Sequence, residues 1–354
     1  MLESFIESAL APPRAFGAPL ARGRLRVEPE DFLVEEDLGF APSGAGSHVL
    51  LKVRKRNANT EWVGRELARA MGCRPFDVGF AGLKDRHAVT VQWFSIPLPR
   101  AKAGEAPAVD PAALRGEGFE VLEAHAHAKK LPRGALAGNR FTIRVRELNV
   151  DDTVLAERMS AIAAGGIPNF FGPQRFGRGG ANLRKISPNP NDVHPRERTY
   201  VLSAARSLVF NAVLAERVAD STWRQLEVGD VANLDARGSV FPVDALDDSL
   251  TERTARLDVH ATGPMWGRGE LPCRGRIQEL EQRIGAGFEE ACALVIAAGM
   301  RQERRSLRLA VRELEWRREG ADVVLSFWLT KGSFATTVLR EILDTEDDAV
   351  ADEG

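Results

Sequence analysis

The order of apolar and polar residues predicts short strands with helices between them. Residues 25–34 and 48–55 alternate or run apolar over the length of a strand, and glycines and a proline between them indicate a turn. In residues 59–71, apolar side chains recur four positions apart, and Asn59 or Thr60 can cap the first turn. That segment is therefore predicted to be an amphipathic helix.

The pattern continues with further predicted strands and with one change in residue composition. Between about residues 165 and 200 Gly, Pro, Asn and Arg become frequent, and residues 202–218 then show helical spacing, so a distinct module is predicted to start near Gly165. Ser333 is predicted to cap a last apolar helix. Residues 97–111 are rich in Pro and Ala and predict a loop. The other segments with strand spacing are 88–96, 140–147, 307–316 and 323–329.

Composition indicates a class of protein but no particular chemical activity. A chain of 354 residues, 44% apolar and 28% charged, is typical of a globular protein with one large domain and an insertion, or with two domains. Its three cysteines are odd in number and widely spaced, which favours neither a disulfide framework nor a zinc site. The first ten residues lack the basic start and apolar length of a signal peptide. We expect a cytoplasmic protein with no membrane segment.

Positive charge is segregated, although the net charge is only −2. Residues 129–146 contain six bases and no acid, residues 175–198 contain six bases and two acids, and residues 344–353 contain six acids. Basic surfaces of this kind can bind RNA phosphates, whereas the alternative is that each run is a solvated face. The predicted RNA-binding residues are Lys129, Lys130, Arg144, Arg175 and Arg178.

One segment concentrates groups that could carry out chemistry. Residues 81–90 bring Gly82, Lys84, Asp85, Arg86 and His87 together directly before a predicted strand. A carboxylate between two bases is expected to stay ionised at neutral pH, and an ionised carboxylate can attack carbon. The alternative is that the aspartate caps a turn or forms a surface ion pair.

A second segment, residues 168–182, interleaves aromatic, arginine, amide and glycine residues. Proteins that bind RNA use this mixture for stacking and phosphate contacts. In the alternative reading its phenylalanines anchor a tight loop, and we expect at least two of the three to do so. The six histidines show no zinc-binding spacing, and no phosphate-binding glycine loop is present. A metal site is therefore not expected.

Taken together, these motifs resemble the TruD family of tRNA pseudouridine synthases over nearly the whole chain. Their order and spacing carry the resemblance. The matching segments are 29–32 (PEDF), 80–90 (FAGLKDRHAVT), 136–142 (LAGNRFT), 169–182 (NFFGPQRFGRGGAN), 202–207 (LSAARS) and 332–336 (GSFAT).

The resemblance implies isomerisation of uridine to pseudouridine in tRNA, at position 13, without a cofactor. Asp85 would be the nucleophile, with Arg26 as its basic partner where lysine is common in the family. An apolar ring can hold the detached base by stacking, and an amide can read the edge of a uracil. The positions implied for substrate binding are Phe32, Asn139, Phe334, Arg26 and Lys84.

For the fold, the resemblance implies an α+β protein. A pseudouridine-synthase-like catalytic domain with a mixed, mostly antiparallel sheet would span residues 1–164 and 309–354, and a TRUD-type domain would be inserted at residues 165–308. We expect a monomer with tRNA as its partner. Two other functions stay open, a non-catalytic RNA-binding or RNA-folding protein and a nucleoside N-glycosidase, and so does the carbon that Asp85 attacks, ribose C1′ or uracil C6.

Overall fold

The computed structural model describes residues 2–98, 110 and 113–347. Its first elements are α1 (Leu2–Leu10), β1 (Arg22–Leu25), β2 (Phe32–Asp37), β3 (His48–Arg56), α2 (Thr60–Ala70), β4 (Gly79–Phe80), β5 (Val89–Pro97), β6 (Arg115–Gly116), β7 (Phe119–His127), β8 (Gly138–Val145) and α3 (Asp152–Gly165). They are followed by β9 (Ile167–Pro168), α4 (Arg198–Ala219), β10 (Val231–Leu234), β11 (Val240–Pro242), α5 (Asp248–Ala255), β12 (Val259–Met265), α6 (Gly275–Gly287), α7 (Glu289–Ala297), β13 (Glu303–Ser306), β14 (Arg308–Leu309), β15 (Arg312–Glu319), β16 (Asp322–Thr330), α8 (Ala335–Arg340) and β17 (Asp344–Asp347).

The chain divides into two compact units. The sheet unit comprises Ala21–Asp151, Arg312–Gly332 and Asp344–Gly354, and the helical unit comprises Met1–Leu20, Asp152–Val311 and Ser333–Leu343. The assignment of residues 1–164 and 309–354 to a catalytic domain and of residues 165–308 to an inserted domain stays a prediction.

A nine-stranded sheet forms the body of the sheet unit. Its strand order is β15-β16-β8-β2-β5-β3-β7-β6, and β4 pairs with β5 beside this path. Within this sheet β2 and β5 run parallel and the other pairs are antiparallel. The predicted α+β fold with a mixed, mostly antiparallel sheet is confirmed.

Helix α2 covers one face of this sheet because its apolar side chains recur on one side. Val63 and Leu67 are fully buried against the inward side chains of β3 and β5. The Asn59 side chain accepts a hydrogen bond from the Glu61 backbone N–H at 2.8 Å, which fixes where the helix begins. The first turn of α2 is thereby placed beside the segment that carries Asp85.

The prediction of one continuous strand over residues 25–34 is wrong in its middle. Strand β1 ends at Leu25, a 3₁₀ helix covers Pro29–Asp31, and β2 begins at Phe32. The Asp31 carboxylate accepts a hydrogen bond from the Glu28 N–H at 2.9 Å and binds the Arg146 guanidinium through both oxygens, so a buried polar side chain stabilises the turn. Alternation of apolar residues does not reveal this interruption.

The helical unit contains an antiparallel sheet of order β11-β10-β12-β13 and the long helix α4. Phe170, Phe171 and Phe176 are all at most 4% exposed and pack in its core, which confirms that this segment anchors a loop. The predicted cap at Ser333 is wrong, because α8 begins after Phe334, whose side chain makes no capping hydrogen bond. Most of the loop predicted at residues 97–111 lies outside the described residues.

Two further features concern the whole described chain. No helix within residues 2–98 and 113–347 combines the length and the apolar character needed to cross a membrane. Cys73, Cys273 and Cys292 are free thiols.

Candidate active site

Asp85 lies in the loop between β4 and β5, where its carboxylate is held from two sides. Oδ2 lies 3.1 Å from Nη2 of Arg26, and Oδ1 accepts a hydrogen bond from the His87 backbone N–H at 3.1 Å. The side chain keeps a third of its surface exposed, whereas that of Arg26 keeps 13%. The carboxylate is therefore fixed in direction and still accessible.

Arg26, the partner of Asp85, has an unusual backbone conformation. It follows β1 directly and has a φ of 53°, in the left-handed region that costs a non-glycine residue about 1 kcal/mol or more. Its guanidinium lies 4.4 Å from the ring centroid of Phe32, which is itself buried against Phe141. Two residues that the sequence predicted for the site, Arg26 and Phe32, are thus brought together with Asp85.

A buried ion pair anchors the loop on the other side. Nζ of Lys84 lies 2.6 Å from Oε1 of Glu36, and their side chains are 9% and 0% exposed. The second Glu36 oxygen accepts a hydrogen bond from the Trp93 N–H at 2.9 Å. The Lys84 ammonium is therefore committed to Glu36, and its predicted contact with substrate stays a prediction.

Hydrogen bonds from α2 hold the same loop. The Thr60 hydroxyl accepts from the Lys84 N–H at 3.0 Å and donates to the Gln92 amide oxygen at 2.9 Å. Gln92 in turn donates to the Gly82 carbonyl at 3.3 Å. Because buried polar groups that are all satisfied rigidify their surroundings, this network holds the Asp85 segment in one conformation.

Lys55 completes the support and was missed in the sequence. It is fully buried, and its ammonium donates to the Ala58 carbonyl at 2.8 Å and to the Asp85 carbonyl at 2.7 Å. A signal was present, because Val49, Leu51 and Val53 point inward from β3 and Lys55 occupies the next inward position. Burial lowers the pKa of Lys55 from 10.5 to about 8, while Asp85 opposes that change and Lys84 adds to it.

The lowered pKa of Lys55 predicts how stability changes with pH. Between about pH 8 and 10.5 the folded chain releases this proton while the unfolded chain keeps it, so Lys55 makes the free energy of unfolding rise with pH. Burial raises the pKa of Cys273 and Cys292 to about 12, and these thiols act in the opposite direction. The cost of burying the charge, about 3 kcal/mol, applies fully below pH 8. In urea unfolding between pH 7 and 10, the free energy of unfolding of the wild type minus that of Lys55→Met should rise with pH, because the thiols contribute equally to both proteins.

The control for this prediction is Lys52→Met, on the same strand. Lys52 is partly exposed and pairs with Glu123 at 2.9 Å. This variant should keep the pH dependence of the wild type. Equal pH dependence in Lys55→Met and the wild type would contradict the assigned pKa.

Asn139 presents an unsatisfied polar atom on the face that carries the Lys84–Glu36 pair. It lies opposite Glu36 in the register of β8 and β2, and side chains opposite one another share a face. Its Oδ1 is buried and has no hydrogen-bond partner among the described residues. A buried acceptor of this kind is costly unless a ligand supplies the donor, and the N–H of a uracil is such a donor.

Phe334 belongs to the helical unit, where it directly precedes α8 and is partly exposed. Its predicted contact with the base stays a prediction. Within the described residues, no group of three His, Cys, Asp or Glu side chains is arranged to hold a metal ion.

Two of the five predicted RNA-binding residues are engaged within the chain, Arg144 on β8 and Arg175 in the helical unit. Arg144 pairs with Glu319 and Asp322, and this pairing raises its pKa. Arg175 is half-buried and donates to the Ser203 hydroxyl at 2.9 Å, and burial lowers its pKa. Arg178, Lys129 and Lys130 are exposed. Fewer basic side chains are therefore accessible to RNA than the sequence indicated.

The fold and the fixed, accessible Asp85 carboxylate define a candidate enzyme active site. The model of the family described as tRNA pseudouridine synthase D (TruD) matches residues 15–187 and 191–342. The chain therefore belongs to the TruD family of tRNA pseudouridine synthases.

Individual relatives agree with the family match. The chain is 44% identical to the tRNA pseudouridine synthase D of Nitrosococcus oceani, over 93% of this chain and 92% of that protein. It is also 44% identical to the protein of the same name from Methylococcus capsulatus, over 94% of each. The crystal structure of a putative tRNA pseudouridine synthase D from Methanosarcina mazei has the same fold, with a TM-score of 0.71 at 21% identity, covering 96% of this chain and 98% of that one.

Proposed function

We propose that this chain converts uridine to pseudouridine at position 13 of tRNA, with Asp85 as the nucleophile. The observation that carries the proposal is the Asp85 carboxylate, held by Arg26 at 3.1 Å and a third exposed, in a chain of the TruD family. Position 13 is what the resemblance implies for the family.

The proposed reaction begins when the N-glycosidic bond of an extruded uridine breaks. Positive character then develops on the ribose, and a fixed carboxylate can stabilise it or bond to carbon. The detached uracil turns and forms a bond from C5 to the ribose, C5 loses its proton, and N1 gains one. Substrate and product are isomers, so we propose that no cofactor or metal takes part.

Each neighbouring residue has a proposed part in this reaction. Arg26 holds the carboxylate in place, since its guanidinium is fixed between Asp85 and the Phe32 ring. Asn139 accepts a hydrogen bond from the uracil through its unsatisfied oxygen. The role of Phe334, stacking on the detached base, rests on the resemblance.

The two other functions account less well for the site. A protein that only binds or folds RNA has no use for a carboxylate held by an arginine and a buried network. An N-glycosidase normally needs a second free carboxylate, and Glu36 and Asp31 are both buried and engaged with bases. We also propose that the chain acts as a monomer in the cytoplasm and that tRNA is its partner.

The test of the function uses a tRNA transcript labelled with tritium at uridine C5. We expect tritium release on incubation with the protein and a single pseudouridine at position 13, mapped by carbodiimide treatment and primer extension. A transcript with cytidine at position 13 serves as control and should release none. Free uracil in place of pseudouridine would favour the glycosidase, and tRNA binding without release would favour the binding protein.

A further inference from the structure

A groove on the sheet unit lies outside the site described above. It opens between helix α2 and two chain segments, residues 75–80 and 130–133, and has a cavity volume of about 650 Å³. A cavity of this size is in the range that holds a nucleotide-sized ligand. The polar and aromatic residues that line it include Glu61, Arg65, Phe76, Phe80, Lys130 and Arg133.

An exposed aromatic ring stands at the rim of the groove. Phe76 is 82% exposed, although a large apolar side chain gains free energy from burial. Nζ of Lys130 lies 4.8 Å from its ring centroid and donates to its backbone carbonyl. A ring kept in solvent beside a cation is typical of surfaces on which bases of single-stranded RNA stack.

A planar guanidinium lies inside the same groove. Cζ of Arg133 lies 3.8 Å from the ring centroid of the buried Phe80, so one face of the guanidinium is stacked and the side chain remains exposed on the other. Bases stack on arginine planes as well as on rings, and the same group can bind a phosphate. The groove therefore offers two flat surfaces and positive charge.

The groove also holds much of the charge left free in the basic run of residues 129–146. Arg140, Arg144 and Arg146 pair with Glu313, Glu319 and Asp31. Among the described residues, by contrast, no carboxylate lies within ion-pair distance of Arg65, Lys130 or Arg133, and Glu61 is the acid of the lining. Three bases against the one lining acid, with the nearby Asp77 already paired with Arg74, favour a phosphate-bearing ligand.

The groove is tied to the loop that carries Asp85. Gly79 and Phe80 form its wall and lead directly into that loop. The Gly134 N–H, next to the basic segment, donates to the Ala81 carbonyl at 2.7 Å. Phe80 lies five residues before Asp85, a span of at most about 18 Å, so an RNA strand with one base at Asp85 can reach this groove.

We propose that this groove binds a second, unpaired nucleotide of the RNA substrate. Its base would stack on Phe76, and its phosphates would be bound by Lys130, Arg133 and Arg65. The proposal rests on the proposed function, because the RNA is the substrate of the Asp85 site.

Binding of unmodified tRNA, measured separately from turnover, tests the groove. Phe76→Ala should weaken the affinity about 5- to 100-fold, which is the loss expected for one stacked base. Phe76→Trp should stay within about threefold of the wild type, since it keeps the ring. The value of kcat at saturating tRNA should change less than twofold in both variants. Equal affinity of Phe76→Ala and wild type would overturn the proposal.

Salt dependence provides the second measurement. Arg65→Gln and Arg133→Gln should each lower the slope of log Kd against log salt by about 0.7 to 0.9, the contribution of one phosphate contact. Arg69→Gln is the matched control, because Arg69 lies one turn further along α2 and pairs with Glu66. An equal effect of all three variants would mean that any surface arginine attracts tRNA to the same extent, and this result would overturn the proposed groove.

These outcomes separate the groove from the function of the Asp85 site. Loss of affinity in Phe76→Ala, with no pseudouridine formed by any variant, would support the groove and refute the proposed reaction. Normal pseudouridine formation with unchanged affinity in Phe76→Ala would support the proposed reaction and refute the groove. No measurable binding of tRNA to the wild type would overturn both.

Discussion

Asp85→Asn should lose pseudouridine formation while still binding tRNA. A nucleophile that is removed from a site built around it costs on the order of 10⁴-fold or more in turnover. The amide has nearly the same shape, but it has no negative charge with which to stabilise the ribose or bond to it. Affinity for tRNA should stay within a few fold, since an anionic carboxylate is not a ligand for RNA phosphates. Tritium release and equilibrium binding on the same preparations measure the two quantities.

Glu120→Gln is the matched control for this variant. Glu120 lies on β7 of the same unit, is half exposed and pairs with Arg54 at 2.9 Å, so the substitution also removes one paired carboxylate. Its turnover should equal that of the wild type. Turnover of Asp85→Asn within tenfold of the wild type would remove Asp85 as the nucleophile, and a parallel loss of tRNA affinity would indicate a structural role.

Much of the frame around Asp85 could be predicted from local patterns. The predicted strand and helix correspond to the observed β3 and α2. Side chains on one face recur every two residues in a strand and about every four in a helix, so both elements can be recognised locally. The pairing of Arg26 with Asp85 was predicted from the resemblance and not from the pattern. The interruption at Pro29–Asp31 was missed, because a buried salt bridge between Asp31 and Arg146, 115 residues apart, stabilises it.

The sequence also fails to show which basic residues of β8 are neutralised by acids. The arginines of β8 form one basic face in the sequence, yet their acidic partners come from β15 and β16, more than 170 residues away. Whether a basic run is free to bind RNA depends on these distant partners, which no local pattern contains. Lys55 and Glu36 differ, because each occupies an inward position of a strand and was therefore detectable as a buried charge.

Lys84→Met should destabilise the sheet unit strongly. It removes the partner of Glu36 and leaves a fully buried carboxylate with one backbone hydrogen bond, from Trp93. Breaking a buried ion pair in this way costs about 3–5 kcal/mol. Urea unfolding at neutral pH measures the loss, and turnover should fall as well, because the loop of Asp85 loses its anchor.

The double variant Lys84→Met with Glu36→Gln separates the charge from the anchor. A neutral glutamine can still accept the Trp93 hydrogen bond, and replacing both charges of a buried pair is often nearly neutral, so we expect recovery to within about 1–2 kcal/mol of the wild type. Stability equal to that of the single variant would contradict the buried pair. Turnover then decides the role of Lys84: if it only anchors the loop, activity returns with stability, and if it contacts the substrate, activity stays low in a stable protein.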